Sequence, residues 1–290
     1  MTIPNPFDLS GPEFLVFYAL LAVVVLGAAQ LLGRGSAASA EVPHISTDDP
    51  HLVAYLRGGP NEALRIGVAS LVDRNLLRLD KKAKRGFEIV ARRGSDAVAR
   101  RPVEKAILRH FAKAAAPESV FKDRDVVDKT EDYGTELEQR GLLLDGPGRA
   151  ARRQRFLIAG GVLLAVAGLR LILALERGRT NVGFLIVEGI LVVLLGLWLL
   201  GWSTRTALGD RALADLRELF RGLRDRAGTL RPGGATNEVA LVAAVFGLAA
   251  LPSDPYADLR GAYARSTRKT SGGWAASCGS IGGGGSSCGG

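Results

Sequence analysis

Cys278 and Cys288 are the only thiols in this 290-residue chain, set in the run SCGSIGGGGSSCGG among Gly and Ser that cannot build a core around them. Two thiolates leave a tetrahedral zinc site half filled. The pair is therefore a candidate for enzymatic modification or for a metal shared with a second chain, with an inert flexible tail as the plain alternative. Arg170 and Glu188 lie inside long apolar runs, where an ionisable side chain is costly and takes a partner; an ion pair between the two is expected. Lys81, Lys82, Lys84 and Arg85 crowd the turn DKKAKRG. They are candidate contacts for the phosphate of lipid headgroups or of nucleic acid, or else ordinary solvated surface. His44 and His51 bracket Asp48 and Asp49, in a spacing that matches no established ligand pattern. His110, beside Phe111, reads as a satisfied imidazole on an apolar face.

No Gly-Lys-Ser/Thr phosphate loop, dinucleotide fingerprint, HExxH or Ser elbow occurs in the chain. No catalytic residue and no cofactor is expected, and the chain leans away from an enzyme. Two Cys also exclude a disulfide-built scaffold. The formal charge of +9, from 38 Lys and Arg against 29 Asp and Glu, suits anionic lipid, nucleic acid or the cytoplasmic loops of a membrane protein.

The elements that must carry these residues begin with three apolar runs. Phe14–Leu32 holds Gln30 as its only strongly polar residue; Phe156–Leu175 and Val182–Trp202 are broken only by Arg170 and Glu188. At 1.5 Å per residue each is long enough to cross a hydrocarbon core of about 30 Å. Glu176 to Asn181 leave room only for a tight hairpin between the last two. Ala38-Ser39-Ala40 offers a cleavage pattern after the first run, but the preceding 13 residues hold Asp8 and Glu13 and no Lys or Arg, unlike a secretory leader. Arg34 to Arg155 carries 24 Lys and Arg against 18 Asp and Glu, and Ser203 to Gly290 carries 11 against 7. By the distribution of positive charge both belong on the cytoplasmic side. The expectation is a multi-pass protein of the inner membrane, N-terminus (1–13) outside and C-terminus inside, with spans at 14–33, 156–175 and 182–202.

Between the spans, 34–50 reads as a linker and 51–148 as one or two folded units. Gly58-Gly59-Pro60 punctuates the chain, Leu64, Val68, Leu71 and Val72 mark one helix face, and LLRL (76–79) with FEIV (87–90) flank the basic turn as a hairpin. Helix followed by hairpin resembles the second half of a winged-helix module. A second unit starts at Pro102, with Val103, Ile107, Phe111 and Ala114 on one face. Leu71-Val-Asp-Arg-Asn-Leu-Leu then returns 66 residues later as Leu137-Glu-Gln-Arg-Gly-Leu-Leu. This is a duplication or a shared way of ending a helix before a strand. After the third span, 203–252 holds an amphipathic helix (Ala207–Leu230) and an apolar run at 239–251, too short to span, which must bury itself against protein or enter the bilayer partway. Residues 253–290 are expected to be a disordered Gly/Ser/Cys tail. The fold class is a mainly α membrane protein with three transmembrane helices and a small winged-helix-like α+β cytoplasmic module.

NPFDLSGPEFLVFY (5–18), YLRGGPNEAL (55–64), LVDRNLL (71–77), LRPGGATNEVALVAAVFGLAALP (230–252) and the Gly/Cys end, taken together, resemble an uncharacterised family of bacterial membrane proteins with an NPFDL-type opening, a PGGAT-to-ALP motif and a Gly/Cys-rich tail. The resemblance implies membrane residence and no nameable activity. The functional expectation is a scaffold or interaction protein that contacts membrane lipids and a protein partner the residues do not identify. The alternatives are a membrane-tethered winged-helix nucleic-acid binder, or the substrate or partner of a modifying enzyme through the Cys tail.

Overall fold

The computed structural model describes residues 11–31, 43, 45–82, 86–176, 189–190, 194, 204–229, 237–252 and 256–263. Two hydrophobic cores organise them. One lies between α1 (Gly11–Leu31) and α6 (Gly146–Glu176); the other draws on both soluble stretches of the chain.

The soluble core is built around α3 (Pro60–Asp73). Asp49 starts α2 (Pro50–Gly58) by accepting the His51 N–H at 2.9 Å. Gly59, at φ 76°, ends it and turns the chain directly into α3, whose Pro60 occupies a first-turn position where no N–H is needed. Along α3, Ala63, Leu64, Ile66, Gly67, Val68, Ala69, Ser70, Leu71 and Asp73 are all buried. A helix buried on nearly every side is a core element, and α3 packs on α2, α4 (Pro102–His110), α5 (Arg124–Gln139) and α9 (Glu238–Phe246).

Strands β1 (Leu77–Lys82) and β2 (Gly86–Ala91) pair antiparallel from Leu77↔Ala91 to Lys82↔Gly86. They run longer than the apolar tetrads alone suggest. Residues 111–115 do not continue α4 as the position of Ala114 implies. They leave it after His110 and lie beside β2, with Ile89 and Ala115 exchanging N–H···O bonds of 2.8 and 3.0 Å, and Ala114 is exposed.

Helix α9 answers the question posed by the apolar run at 239–251. It lies in the soluble core against α2 and α3, with Val242, Ala243, Ala244 and Val245 wholly enclosed. The amphipathic stretch before it breaks at Phe220 into α7 (Ala207–Leu219) and α8 (Arg221–Asp225). The expected tail boundary at 253 needs correction. Residues 256–263 are helical, and Tyr256, Leu259, Ala262 and Tyr263 are buried, Tyr256 donating to the Asp73 carboxylate at 2.5 Å.

Candidate functional site

The 66-residue echo has a structural counterpart. After α3, the Leu76 N–H reaches back to the Leu71 carbonyl (2.8 Å), the Asn75 N–H to Val72 (3.0 Å), and Asn75 takes a left-handed conformation (φ 58°). After α5, Leu142 reaches Leu137 (2.9 Å), Gly141 reaches Glu138 (2.9 Å), and Gly141 is left-handed (φ 69°). Each bond has its equivalent 66 positions on, and both belong to a six-to-one helix C-cap. In each case a strand follows. The first strand, β1, turns back as β2 through a short tip. The second, 142–144, pairs antiparallel with 204–206 through Leu144 N–H to Thr204 O (2.8 Å) and Thr206 N–H to Leu142 O (3.1 Å). The chain between those two short strands is α6 and everything up to residue 203. In the second unit α6 and the residues up to 203 thus stand where the first unit has its hairpin tip.

Several contacts lock this strand pair. Thr206 caps α7 by accepting the Gly209 N–H (3.1 Å), while its hydroxyl donates to the Gly141 carbonyl (2.7 Å). Arg205 donates to the Arg57 carbonyl at the end of α2 (2.5 Å) and pairs with Asp210. Gly209 lies so close to Leu142 that a Cβ would collide with its carbonyl oxygen. Arg149, in the first turn of α6, reaches Glu138 (2.5 Å) and the Leu144 carbonyl (2.9 Å). Helix α6 is therefore tied to the soluble core at its first turn.

Gly146–Ile172 of α6 is long and apolar enough to cross a bilayer by length and composition, with a mean hydropathy of 1.9. Among the described residues it alone meets that test; in α1 the apolar stretch is Val16–Leu31. The two helices run antiparallel, Phe14 lying at Arg170 and Tyr18 at Leu163. Their buried line is Phe14, Tyr18, Ala22, Leu26 and Ala29 against Phe156, Ala159 and Leu163. In lipid no hydrophobic gain separates two apolar helices, so small residues that permit close approach and internal hydrogen bonds carry the pairing. Ala22, Ala29 and Ala159 supply the first; Tyr18, with no exposed surface, donates to the Leu163 carbonyl at 3.0 Å and supplies the second. Val16, Leu20, Val23 and Val24 on one helix, and Leu157, Ile158, Leu164 and Ile172 on the other, face outward.

Arg170 is buried, its guanidinium carbon 4.8 Å from the centre of the Phe14 ring, a favourable stacking of cation on aromatic face. Its expected partner Glu188 lies outside the described residues, as do Lys84, Arg85, Cys278, Cys288 and His44. Lys81 is exposed on β1, and Lys82 ends that strand.

The soluble core also holds polar groups that sequence spacing did not assemble. His51 is enclosed where both helix pairs meet, between Gly67 of α3, Ile107 of α4 and the Tyr133 ring of α5. Its Nδ1 lies 3.1 Å from Asp49, which also pairs with Arg101, and its Nε2 has no hydrogen-bond partner. Burial lowers its pKa from 6.5 to about 4, Glu104 working against this and Arg74 with it. Burial pushes the Glu104 carboxyl up, and the Arg100 N–H and the Arg74 guanidinium together bring it below its ordinary range. Of the four residues 44, 48, 49 and 51, His51 and Asp49 serve helix capping and core packing, and no group of three metal-ligating side chains forms among the described residues.

His110 is satisfied by partners from the segment that follows it. Nδ1 lies 2.6 Å from Asp123 and Nε2 2.8 Å from Ser119. The order Asp-His-Ser is that of a hydrolytic triad. Ser119 Oγ also lies 2.6 Å from the Ala116 carbonyl, and Asp123 also caps α5, so the three residues act as a clip between α4 and α5.

The helix–helix–hairpin order of α2, α3, β1 and β2 is that of a winged-helix half, yet α3, the helix such a module would offer to a DNA groove, is enclosed by its neighbours. The exposed side of its counterpart α5 carries Asp125, Asp128, Glu131 and Asp132 against Arg124 and Lys129, a net negative charge that disfavours phosphate. In comparisons with protein-family models, curated proteins and solved structures, nothing matches this chain.

Proposed function

We propose that this chain is a three-span inner-membrane protein, N-terminus outside and C-terminus inside, whose cytoplasmic body is a docking scaffold fixed to the bilayer surface. The observation that carries the reading is the continuity at Leu142–Gly146: α6 leaves the paired strand 142–144 after a single residue and runs unbroken to Glu176. A catalytic domain on a tether needs no such rigid junction; a platform that holds a partner at fixed height and orientation does. The antiparallel α1 and α6 put the N-terminal end of α1 beside the far end of α6, as two successive spans require. The basic residues Arg149, Arg152, Arg153 and Arg155 in the first turns of α6 support a cytoplasmic body. Lys81 and its basic neighbours are suited to anionic headgroups, and the resemblance of the motifs to a family of membrane proteins agrees with the whole.

In-cell photo-crosslinking tests the scaffold role. A photoreactive side chain at exposed Lys113 or Leu219 is expected to give discrete protein adducts from membrane fractions. Adducts to lipid alone, from a correctly inserted protein, would contradict it.

A further inference from the structure

A cation on an open surface, such as Arg92, Arg93 or Lys113, is solvated and needs no partner. One place on the soluble body differs, because packing draws arginines together there and removes part of their water. Arg57, at the end of α2, has 17 % of its side chain exposed and is pinned to Glu62 in the first turn of α3; Arg65, three residues on, is buried to the same extent and shares that carboxylate. The Nε of each is enclosed without a hydrogen-bond partner. The Arg57 guanidinium lies over Gly247, just past α9, where any Cβ would collide with it. Arg205 donates to the Arg57 carbonyl and pairs with Asp210. Arg217 stands on α7 seven residues beyond Asp210, two turns along the same face, and has no ion-pair or hydrogen-bond partner among the described residues.

The electrostatics agree with this crowding. Burial lowers the pKa of Arg57, Glu62 opposing the shift and Arg217 and Arg65 adding to it; burial lowers that of Arg217 too, with Arg205 adding and Asp210 opposing. Four arginines are linked in this way with two carboxylates among them, which leaves an excess of two positive charges.

From this cluster we propose that the face formed by the end of α2, the start of α3 and the outer side of α7 binds a phosphate group, gripped by Arg217 in the positive field of Arg57, Arg65 and Arg205. A guanidinium offers paired N–H donors that match two phosphate oxygens, and the one to two negative charges of a phosphate answer the excess. Partial burial makes each of these attractions stronger than in open water. The inference goes beyond the scaffold reading and stands without it. Two sources supply the same chemistry. Arg205 lies in the strand 204–206, paired with 142–144 one residue before α6, and in the proposed topology this brings the Arg205 end of the cluster towards anionic lipid headgroups. A soluble phosphate compound would reach it from the cytoplasm.

Thermal unfolding of the full-length protein, followed by helicity, tests the site with one probe for each source. In detergent, about 10 mM pyrophosphate is compared with sodium chloride at equal ionic strength; in nanodiscs, phosphatidylcholine with about one third phosphatidylglycerol is compared with phosphatidylcholine alone. At least one probe should raise the midpoint by about 4 °C. A rise with pyrophosphate identifies a soluble phosphate compound, and a rise with phosphatidylglycerol alone identifies the headgroup. Arg217→Gln should abolish the rise. Because it also relieves repulsion from Arg57 and Arg205, it should leave the midpoint without probe unchanged or higher. Arg93→Gln, an exposed arginine outside the cluster, should keep the rise. No rise with either probe, a rise that survives Arg217→Gln or is lost in Arg93→Gln, or a lower midpoint of Arg217→Gln without probe, as for a merely structural cation, overturns the proposal.

Discussion

Acid should loosen the soluble body through His51 before it loosens the α1–α6 pair. The ring is wholly enclosed, faces Asp49, Arg101, Arg74, Glu104 and Tyr133, and is held neutral to about pH 4 by burial. In the unfolded chain the same ring takes a proton near pH 6.5. The unfolded state therefore binds more protons between those values, and stability falls as pH drops through that window and levels off below it. From the two proton affinities the loss amounts to about 2.5 kcal/mol by pH 4.5, a large share of a small domain's total. The assay is urea unfolding of the detergent-solubilised full-length protein, followed by helicity at pH 7.5 and pH 4.5, for the wild type and for His51→Gln. Gln cannot titrate, so its pH loss reports the other titratable groups. The wild type should lose about 2.5 kcal/mol more than the variant. Parallel losses would refute the claim that His51 is buried neutral.

Gly209→Ala forces a Cβ against the Leu142 carbonyl that accepts the Thr206 N–H. It should cost about 3 kcal/mol in thermal or urea unfolding, whereas Gly222→Ala, with open space at the same test, should stay within about 0.5 kcal/mol of wild type. Tyr18→Phe removes the bond to the Leu163 carbonyl and should weaken the α1–α6 pair by about 1 kcal/mol in detergent unfolding; no change would mean the hydroxyl is idle. For Arg170 and Glu188, either single change to Ala should destabilise more than the double change to apolar residues, because one orphan charge in lipid is worse than none. Additive losses in that cycle would reject the pair.

What the sequence discloses here depends on how long-range the underlying physics is. The apolar face of α3, the hairpin and the Gly59-Pro60 break are local effects of periodicity and backbone freedom, and each is found in the structure. The length of α6 follows from composition in the same way. Helix α5 is strongly polar and announces itself chiefly through its C-cap, the Leu137-to-Leu142 stretch. Tyr256, Leu259 and Tyr263 do keep a helical spacing, but three apolar residues before a Gly-rich end are too short a pattern to stand out. The junction of 142–144 with 204–206 joins residues about sixty positions apart in the chain, and nothing local marks it. His51 likewise receives its environment from α3, α4 and α5, which its spacing from Asp48 and Asp49 does not disclose. The His110 clip needed only its neighbours, yet Asp123 and Ser119 look like ordinary turn residues until the chain folds back.

The central claim is that α6 passes from a cytoplasmic body directly into the bilayer and emerges outside near Glu176. In a chain with Cys278→Ser and Cys288→Ser, single cysteines at Lys113, Arg224 and Glu176 are exposed in turn to a membrane-impermeant thiol reagent in intact cells. Glu176→Cys should be labelled at once, and Lys113→Cys and Arg224→Cys only after permeabilisation. Labelling of either body position in intact cells, or protection of the position at 176, would contradict the account.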